Sequence, residues 1–168
     1  MTKLSNVITR VEEVIMALLM GILTIVMIAA VIFRYFLQNP IPWASEVSIY
    51  LFIWFSFIGG SWGLKYGTQA SVTFLIDALS ENKQRILRIV QDIIMLLFLF
   101  VILFYAAKWV VLPSTMLQKS TSLGMPMWIP YSAVPIGILF AVIHIVARLI
   151  RLFRNQGDFP GKEGDKGI

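Results

Sequence analysis

The 168-residue sequence contains no cysteine and only one histidine, and only 14% of its residues are charged. Without cysteine the chain forms no disulfide, no thiolate metal site and no cysteine nucleophile. One imidazole cannot supply both histidine ligands of a haem within one chain. A soluble domain usually carries about a quarter charged residues. With 58% hydrophobic residues and a mean hydropathy of +0.82, the composition indicates an integral membrane protein.

Charge is missing altogether from four stretches of the chain. No Asp, Glu, Lys or Arg occurs in residues 14–33, 47–64, 93–107 and 120–147. An ionised group at mid-bilayer costs roughly 2.5–3.5 kcal/mol, so charge-free runs mark the membrane spans. About 20 helical residues cross the hydrocarbon layer. The sequence therefore predicts an all-α integral membrane protein with four transmembrane helices, at about 4–36, 44–66, 81–112 and 128–153.

Helix signals extend two of these spans beyond the charge-free runs. Apolar residues at helical spacing carry the first helix back to about Lys3 and the third back to about Ser80. Pro113 should end the third helix, and the fourth should begin near Trp128 with a proline in its opening turn. We read the first span as a retained helix and not as a cleaved signal peptide. Residues 1–154 then form a single membrane domain.

Two further segments are predicted outside the spans. Residues 71–79 contain an apolar stripe that is too short to cross the membrane, which favours an amphipathic helix lying in the interface between spans two and three. Residues 155–168 are rich in glycine and charge and are predicted to be a flexible cytoplasmic tail.

The basic residues predict the orientation. Of the 14 lysines and arginines, 11 lie in residues 3–10, 65–88 and 148–166, and only Arg34, Lys108 and Lys119 lie on the other side. The positive-inside rule then places both termini in the cytoplasm. The net charge of +5 fits contact with anionic lipid headgroups, and no basic module for nucleic acid is present.

We expect the spans to hold no buried carboxylate, no carboxylate pair and no phosphate-binding glycine loop, because their charge-free runs contain no Asp or Glu, so the helix interiors should be chemically inert. His144 lies one turn before Arg148, and we expect it to be an interfacial polar residue. No catalytic, cofactor or metal site is predicted, and the chain should not be an enzyme.

The connection between spans one and two holds Arg34, Trp43 and Glu46 within a short segment. One interpretation is an ion pair between Arg34 and Glu46 across the hairpin. The other is a rim that contacts another protein, with Arg34 as a planar donor and Trp43 as an aromatic anchor. Trp43 alone also fits the aromatic belt at a membrane interface.

Span two carries a face of small residues. Gly59, Gly63 and Gly67 are spaced four apart, with Ser56 and Gly60 beside them. Such a face lets helix backbones approach closely in lipid. Its partner is either span one or three of this chain, or another polypeptide.

These features together resemble one family over nearly the whole chain, to about Phe153. The features that carry the resemblance are Arg34-Tyr35, Pro42-Trp43-Ala44-Ser45-Glu46, Gly59-Gly60 with Gly63 and Gly67, Pro126-Met127-Trp128-Ile129-Pro130-Tyr131, and Pro135-Ile136-Gly137. The sequence resembles the small, DctQ-like membrane subunit of tripartite ATP-independent periplasmic (TRAP) transporters. Family members often have a histidine at the position of Gln69, so no role of that histidine is carried over.

The resemblance implies a non-enzymatic subunit in a bacterial inner membrane. The small subunit would pair with a large multi-span subunit that holds the substrate and sodium sites. A periplasmic binding protein would deliver an organic acid such as a C4-dicarboxylate or sialic acid. The chain would brace the large subunit, and Arg34, Trp43 and Glu46 would help to dock the binding protein.

Two other classes stay open at this point. A homo-oligomeric small multidrug-type carrier or channel would need an acidic residue inside a span. A membrane anchor for a redox enzyme would need haem ligands shared with a partner.

Overall fold

A computed structural model of the chain describes residues 2–66 and 81–153, and these are helical almost throughout. Within these two ranges a single bridge between Lys119 and Pro126 is the one extended pairing. The predicted interfacial helix at 71–79, Gly67, Gln69 and the tail at 155–168 lie outside the described residues. The helices are α1 (Thr2–Tyr35), α2 (Ala44–Tyr66), α3 (Glu81–Val110), α4 (Pro113–Leu117), α5 (Trp128–Tyr131) and α6 (Ala133–Phe153).

The prediction of four apolar helices is confirmed. Four helical segments are long and apolar enough to cross a membrane. α1 has 34 residues and α3 has 30, so at 1.5 Å per residue both exceed a hydrocarbon layer of about 30 Å. α3 ends two residues earlier than predicted, and Pro113 opens the short helix α4 instead of only stopping α3. Proline suits that first position because its nitrogen has no hydrogen to leave unpaired.

The fourth span is divided into α5 and α6 at Ser132. A continuous helix would need the nitrogen of Pro135 to donate to Tyr131, which proline cannot do. The chain stays in register because Ser132 N donates to Trp128 O (2.9 Å) and Ile136 N donates to Ser132 O (3.2 Å). α5 therefore leads into α6 as an irregular first turn of the same span.

α6 and α2 form the central pair of the four long helices. α2 packs against α6 and α1, α3 packs against α6, and α1 also touches α6. We call the end of the bundle where α1 begins and α6 ends the terminal end. The opposite end, with the α1–α2 connection and residues 111–132, is the hairpin end. Tyr50 donates to Met127 Sδ (3.3 Å) across the hairpin end.

The core lies mainly on α6, and apart from His144 its members are small or branched. The buried residues of α6 are Ala133, Gly137, Ile138, Ala141, Val142, His144, Ile145 and Ala147. A Cβ built on Gly137 would lie 2.7 Å from Phe57 Cβ and 2.8 Å from Phe57 O, so α2 and α6 touch through backbone at this point. Glycine is required here because only its missing side chain allows that approach.

The outer helices cover little of each other's surface. α1 exposes apolar side chains along its whole length, including Leu18 (60%) and Ile25 (68%), and α3 does the same at Leu97 (66%) and Phe104 (64%). Apolar side chains in this number need lipid or another apolar protein surface around them. The bundle is thus built around α6, with α1 and α3 at its two edges.

Gly137 gives a direct test of this packing. Gly137→Ala should lower the free energy of unfolding by about 1–3 kcal/mol, because the new methyl group overlaps the Phe57 backbone and overpacked cores lose stability by that amount. Gly60→Ala is the matched control, since a Cβ there meets nothing within 4 Å. Thermal unfolding of the purified variants in detergent measures the difference. Equal stability of the two variants would contradict the close α2–α6 contact.

Candidate functional site

A buried polar network joins α1 to α6 at the terminal end. His144 Nδ1 lies 2.8 Å from Ser5 Oγ, and His144 Nε2 lies 3.0 Å from Glu12 Oε2. The side chains of His144 and Glu12 are completely buried. An ionised Glu12 only accepts hydrogen bonds, so Nε2 donates to it, and in the neutral ring Nδ1 then accepts from the Ser5 hydroxyl.

Helical spacing brings these groups together. Ser5, Thr9 and Glu12 stand at i, i+4 and i+7 on α1 and therefore share one face. All three are buried, and Thr9 Oγ1 donates to Ser5 O (2.8 Å). Glu12 Oε1 has no hydrogen-bond partner among the described residues. A carboxylate without water is costly unless it is paired, so the imidazole of His144 is what makes the burial of Glu12 tolerable.

A second tie joins α3 to α6 one turn further along. Arg148 Nε donates to Asp92 Oδ2 (2.9 Å), and the NH2 group of Arg148 donates to Asp92 Oδ1, so the ion pair is bidentate. The NH1 group of Arg148 donates to the Leu64 carbonyl at the end of α2 (3.0 Å). The planar guanidinium suits this arrangement because it presents several donors in fixed directions. One side chain of α6 thus holds both α3 and α2.

A third set of contacts joins α1 to α2. Lys65 Nζ donates to Thr9 Oγ1 (2.6 Å) and to Asn6 Oδ1 (3.0 Å). Trp62 Nε1 donates to Glu13 Oε1 (3.2 Å). We call the side chains of these three sets of contacts together the terminal polar cluster. Its members are Ser5, Asn6, Thr9, Glu12, Glu13, Trp62, Lys65, Asp92, His144 and Arg148.

Two expectations from the sequence are wrong here. His144 is buried between helices and is not an interfacial residue. The helices also contain buried carboxylates, since Glu12 is 0% and Asp92 2% exposed. The charge-free runs start just after both residues, which is why the spans were expected to be inert. The i, i+4 pair His144 and Arg148 and the polar face of α1 were the available signals, but single-helix patterns do not tell which faces meet.

The terminal polar cluster can cross-link helices, but it lacks the parts of a metal site. In residues 2–66 and 81–153 no three His, Cys, Asp or Glu side chains come together as ligands would. Glu12 accepts from His144, Asp92 accepts from Arg148 and Glu13 accepts from the Trp62 indole, each on another helix. The arrangement therefore supplies rigidity between helices.

Glu46 organises the hairpin end in a way that the sequence did not predict. Its Oε1 accepts from the Thr121 hydroxyl (2.5 Å) and from the backbone N–H groups of Thr121 and Ser122 (both 3.1 Å). Its Oε2 accepts from Leu123 N (3.3 Å). In the described parts of the chain it forms no ion pair with Arg34, so that interpretation of the segment is wrong.

The other predicted site residues are not brought together. Arg34 and Trp43 are both exposed at the hairpin end, and Trp43 keeps 43% of its surface free. Gly59 faces α1, where a Cβ would lie 3.5 Å from Met16 Sδ, an ordinary contact distance. Gly63 is half-buried, and Gly67 falls in the range without description. The tightest glycine contact is at Gly137, which lies outside the predicted glycine face.

Adjacent carboxylates on α1 allow a matched test of the terminal polar cluster. Glu12→Ala should destabilise the protein by about 3–5 kcal/mol, because it removes one partner of a completely buried pair. Glu13→Ala should change stability little, because Glu13 is exposed and, within residues 2–66 and 81–153, its side chain accepts one hydrogen bond, from the Trp62 indole. Chemical unfolding in mixed detergent micelles compares the two. A similar loss of stability in both variants would contradict a specific stabilising role of the buried Glu12.

Comparison with known proteins now identifies the family. The family model described as "Tripartite ATP-independent periplasmic transporters, DctQ component" matches residues 3–155. A predicted TRAP transporter small permease protein of Haemophilus influenzae is 28% identical over 161 residues, which cover 93% of this chain and 98% of that protein.

Two further relatives extend the comparison. The C4-dicarboxylate TRAP transporter small permease protein DctQ of Vibrio cholerae is 27% identical, over 76% of this chain and 65% of that protein. The isethionate TRAP transporter permease protein DctMQ of Oleidesulfovibrio alaskensis is 24% identical, over 68% of this chain but only 18% of that longer protein. With the family model spanning nearly the whole of its four-helix region, the chain belongs to the DctQ family and is a small permease subunit of a TRAP transporter.

Proposed function

We propose that this subunit is the static brace of a sodium-coupled secondary transporter. In this proposal the four helices hold part of a large multi-span subunit in place while that subunit moves its solute across the bilayer. The observation that supports the proposal is a contrast between the inside of the bundle, where polar contacts link the helices, and its two outer helices, whose apolar faces are exposed. The helices are joined by buried ion pairs at the terminal end, whereas α1 and α3 leave long apolar faces uncovered.

The proposed partner is the large subunit of the transporter. A brace needs an apolar face that is long enough to contact its partner at many points. The helices α1 and α3 are each about 45–50 Å long at 1.5 Å per residue. The longer DctMQ relative supports the pairing, since this chain matches only 18% of it. The rest of that protein is long enough to hold a much larger permease part.

The solute class is proposed from the family and from the relatives' names. We propose an organic acid of the C4-dicarboxylate or sialic acid class, delivered by a periplasmic binding protein and taken up with sodium. The relatives' names specify C4-dicarboxylate, isethionate and sialic acid, which are organic anions, and also ectoine, a zwitterion that carries a carboxylate. In this proposal the chain holds no cofactor, and the sodium ions bind in the large subunit. The membrane is proposed to be the bacterial inner membrane with both termini cytoplasmic, because the terminal end holds most of the basic residues.

The hairpin end is proposed to help dock the binding protein. Arg34 and Trp43 are exposed there and suit the rim and the anchor of an interface. Glu46 would act differently, because its carboxylate already accepts four hydrogen bonds from residues 121–123. Its proposed role is to keep that loop in one shape beside the docking surface.

An intact-complex mass measurement tests the brace. We expect gentle detergent extraction of the tagged chain from its host to yield one copy of this 19.0 kDa subunit with one much larger membrane protein. A species built only from copies of this chain would contradict the proposal. It would favour the homo-oligomeric carrier, for which the buried Glu12 and Asp92 would then be the acidic residues of interest.

Charge reversal at Arg34 tests docking separately. Arg34→Glu should reduce solute uptake by about two- to tenfold, because a rim charge mainly sets the rate of encounter. The amount of complex in the membrane should stay the same. Arg10→Glu is the control, since it reverses an equally exposed arginine at the terminal end. Uptake by the Arg34 variant equal to that of wild type would rule out the docking role.

A further inference from the structure

The outer surface of α3 carries a groove at the hairpin end, on one of the two helices that the brace proposal offers to the large subunit. Its volume is about 670 Å³. α3 provides most of its wall, and the turn into α4 closes one end. The lining residues are Phe100, Leu103, Phe104, Ala107, Lys108, Val111, Leu112 and Pro113.

Lys108 is the single charged residue of this lining. Its side chain is exposed, and the described residues provide it with no hydrogen bond, ion pair or aromatic partner. A lysine surrounded by apolar side chains in a membrane protein extends its ammonium to the headgroup level and seeks an anion there. The anion has to come from outside this part of the chain.

Aromatic side chains mark the depth of Lys108. The neighbouring Trp109 packs against Tyr131 with ring centroids 4.6 Å apart, and Trp109 remains 45% exposed. Tryptophan and tyrosine concentrate at the level of lipid headgroups. From Lys108 the groove follows α3 back to Phe100, which is eight residues or about 12 Å away along the helix. That length is close to one half of a hydrocarbon layer of about 30 Å.

We propose that this groove binds one anionic phospholipid, with its phosphate on the Lys108 ammonium and an acyl chain along Phe100, Leu103 and Phe104. The apolar wall of the groove would contact the acyl chain, and the charge of Lys108 would favour a headgroup with net negative charge over a zwitterionic one. A lipid bound in this way would cover the surface of α3 next to α4 and pack against the turn at Pro113. The inference does not depend on the brace or docking roles.

Native mass spectrometry of the detergent-purified subunit, with any subunit that accompanies it, tests the proposal. The probes are dioleoyl phosphatidylglycerol and dioleoyl phosphatidylcholine, added in equal amounts. Wild type should retain one phosphatidylglycerol in clear preference to phosphatidylcholine. Lys108→Gln should lower retention of phosphatidylglycerol by about tenfold, as expected for loss of one charge–phosphate contact. Lys119→Gln, an exposed lysine outside the groove, should retain it as wild type does.

A second variant separates the groove from charge alone. Ala107→Phe fills the groove while leaving Lys108 in place, and it should lose the bound lipid to a similar extent. Unchanged helicity and a single elution peak confirm that each variant is folded. The proposal is overturned if the two lipids are retained equally, or if Lys108→Gln and Lys119→Gln behave alike. It is also overturned if, in the intact complex, another protein subunit protects Lys108 from a water-soluble lysine reagent and no lipid is bound.

Discussion

A charge that is taken away from water must be paired, and the terminal end of this protein is arranged around that constraint. Glu12 and Asp92 are carboxylates on two different helices, and both are buried. The side chains that hydrogen-bond them, His144 and Arg148, stand one turn apart on α6. Separating α1 or α3 from α6 would leave an unpaired charge in an apolar environment, which costs several kcal/mol. The two outer helices, α1 and α3, are therefore each linked to α6 by a buried carboxylate and its partner.

The two central helices are held by shape instead. Gly137 lets the α6 backbone meet Phe57 on α2, and the neighbouring buried residues Ala133 and Ala141 keep the same face narrow. In lipid such packing, and not a hydrophobic driving force, holds helices together. At the other end Glu46 supplies four acceptor contacts to residues 121–123, so the connection before α5 has a defined shape. A static brace requires its helices to be fixed along their whole length. Here polar contacts hold them at both ends, and close backbone packing holds α2 against α6 in the middle.

The number and extent of the helices could be predicted from the sequence because the cost of inserting a charge is a local property of each stretch. The predicted second span, 44–66, has the bounds of α2, and the first differs from α1 by one or two residues. The terminal polar cluster could not be predicted in this way, since it depends on which faces of four helices meet. Glu12 and Asp92 both precede an apolar run and read as interfacial charges. Likewise Arg34 and Glu46 are neighbours in sequence, but Glu46 has a partner 75 residues away.

The central claim is that the four helices stay fixed relative to one another during transport, and a distance measurement across the two edge helices tests it most directly. The chain has no cysteine, so spin labels can be attached at two introduced cysteines alone. Val11 on α1 and Ile86 on α3 are exposed at the terminal end and suit this purpose. In the reconstituted transporter, pulsed electron paramagnetic resonance should give one narrow distance distribution, unchanged between resting and transporting conditions. A second distance that appears only during transport would contradict the account.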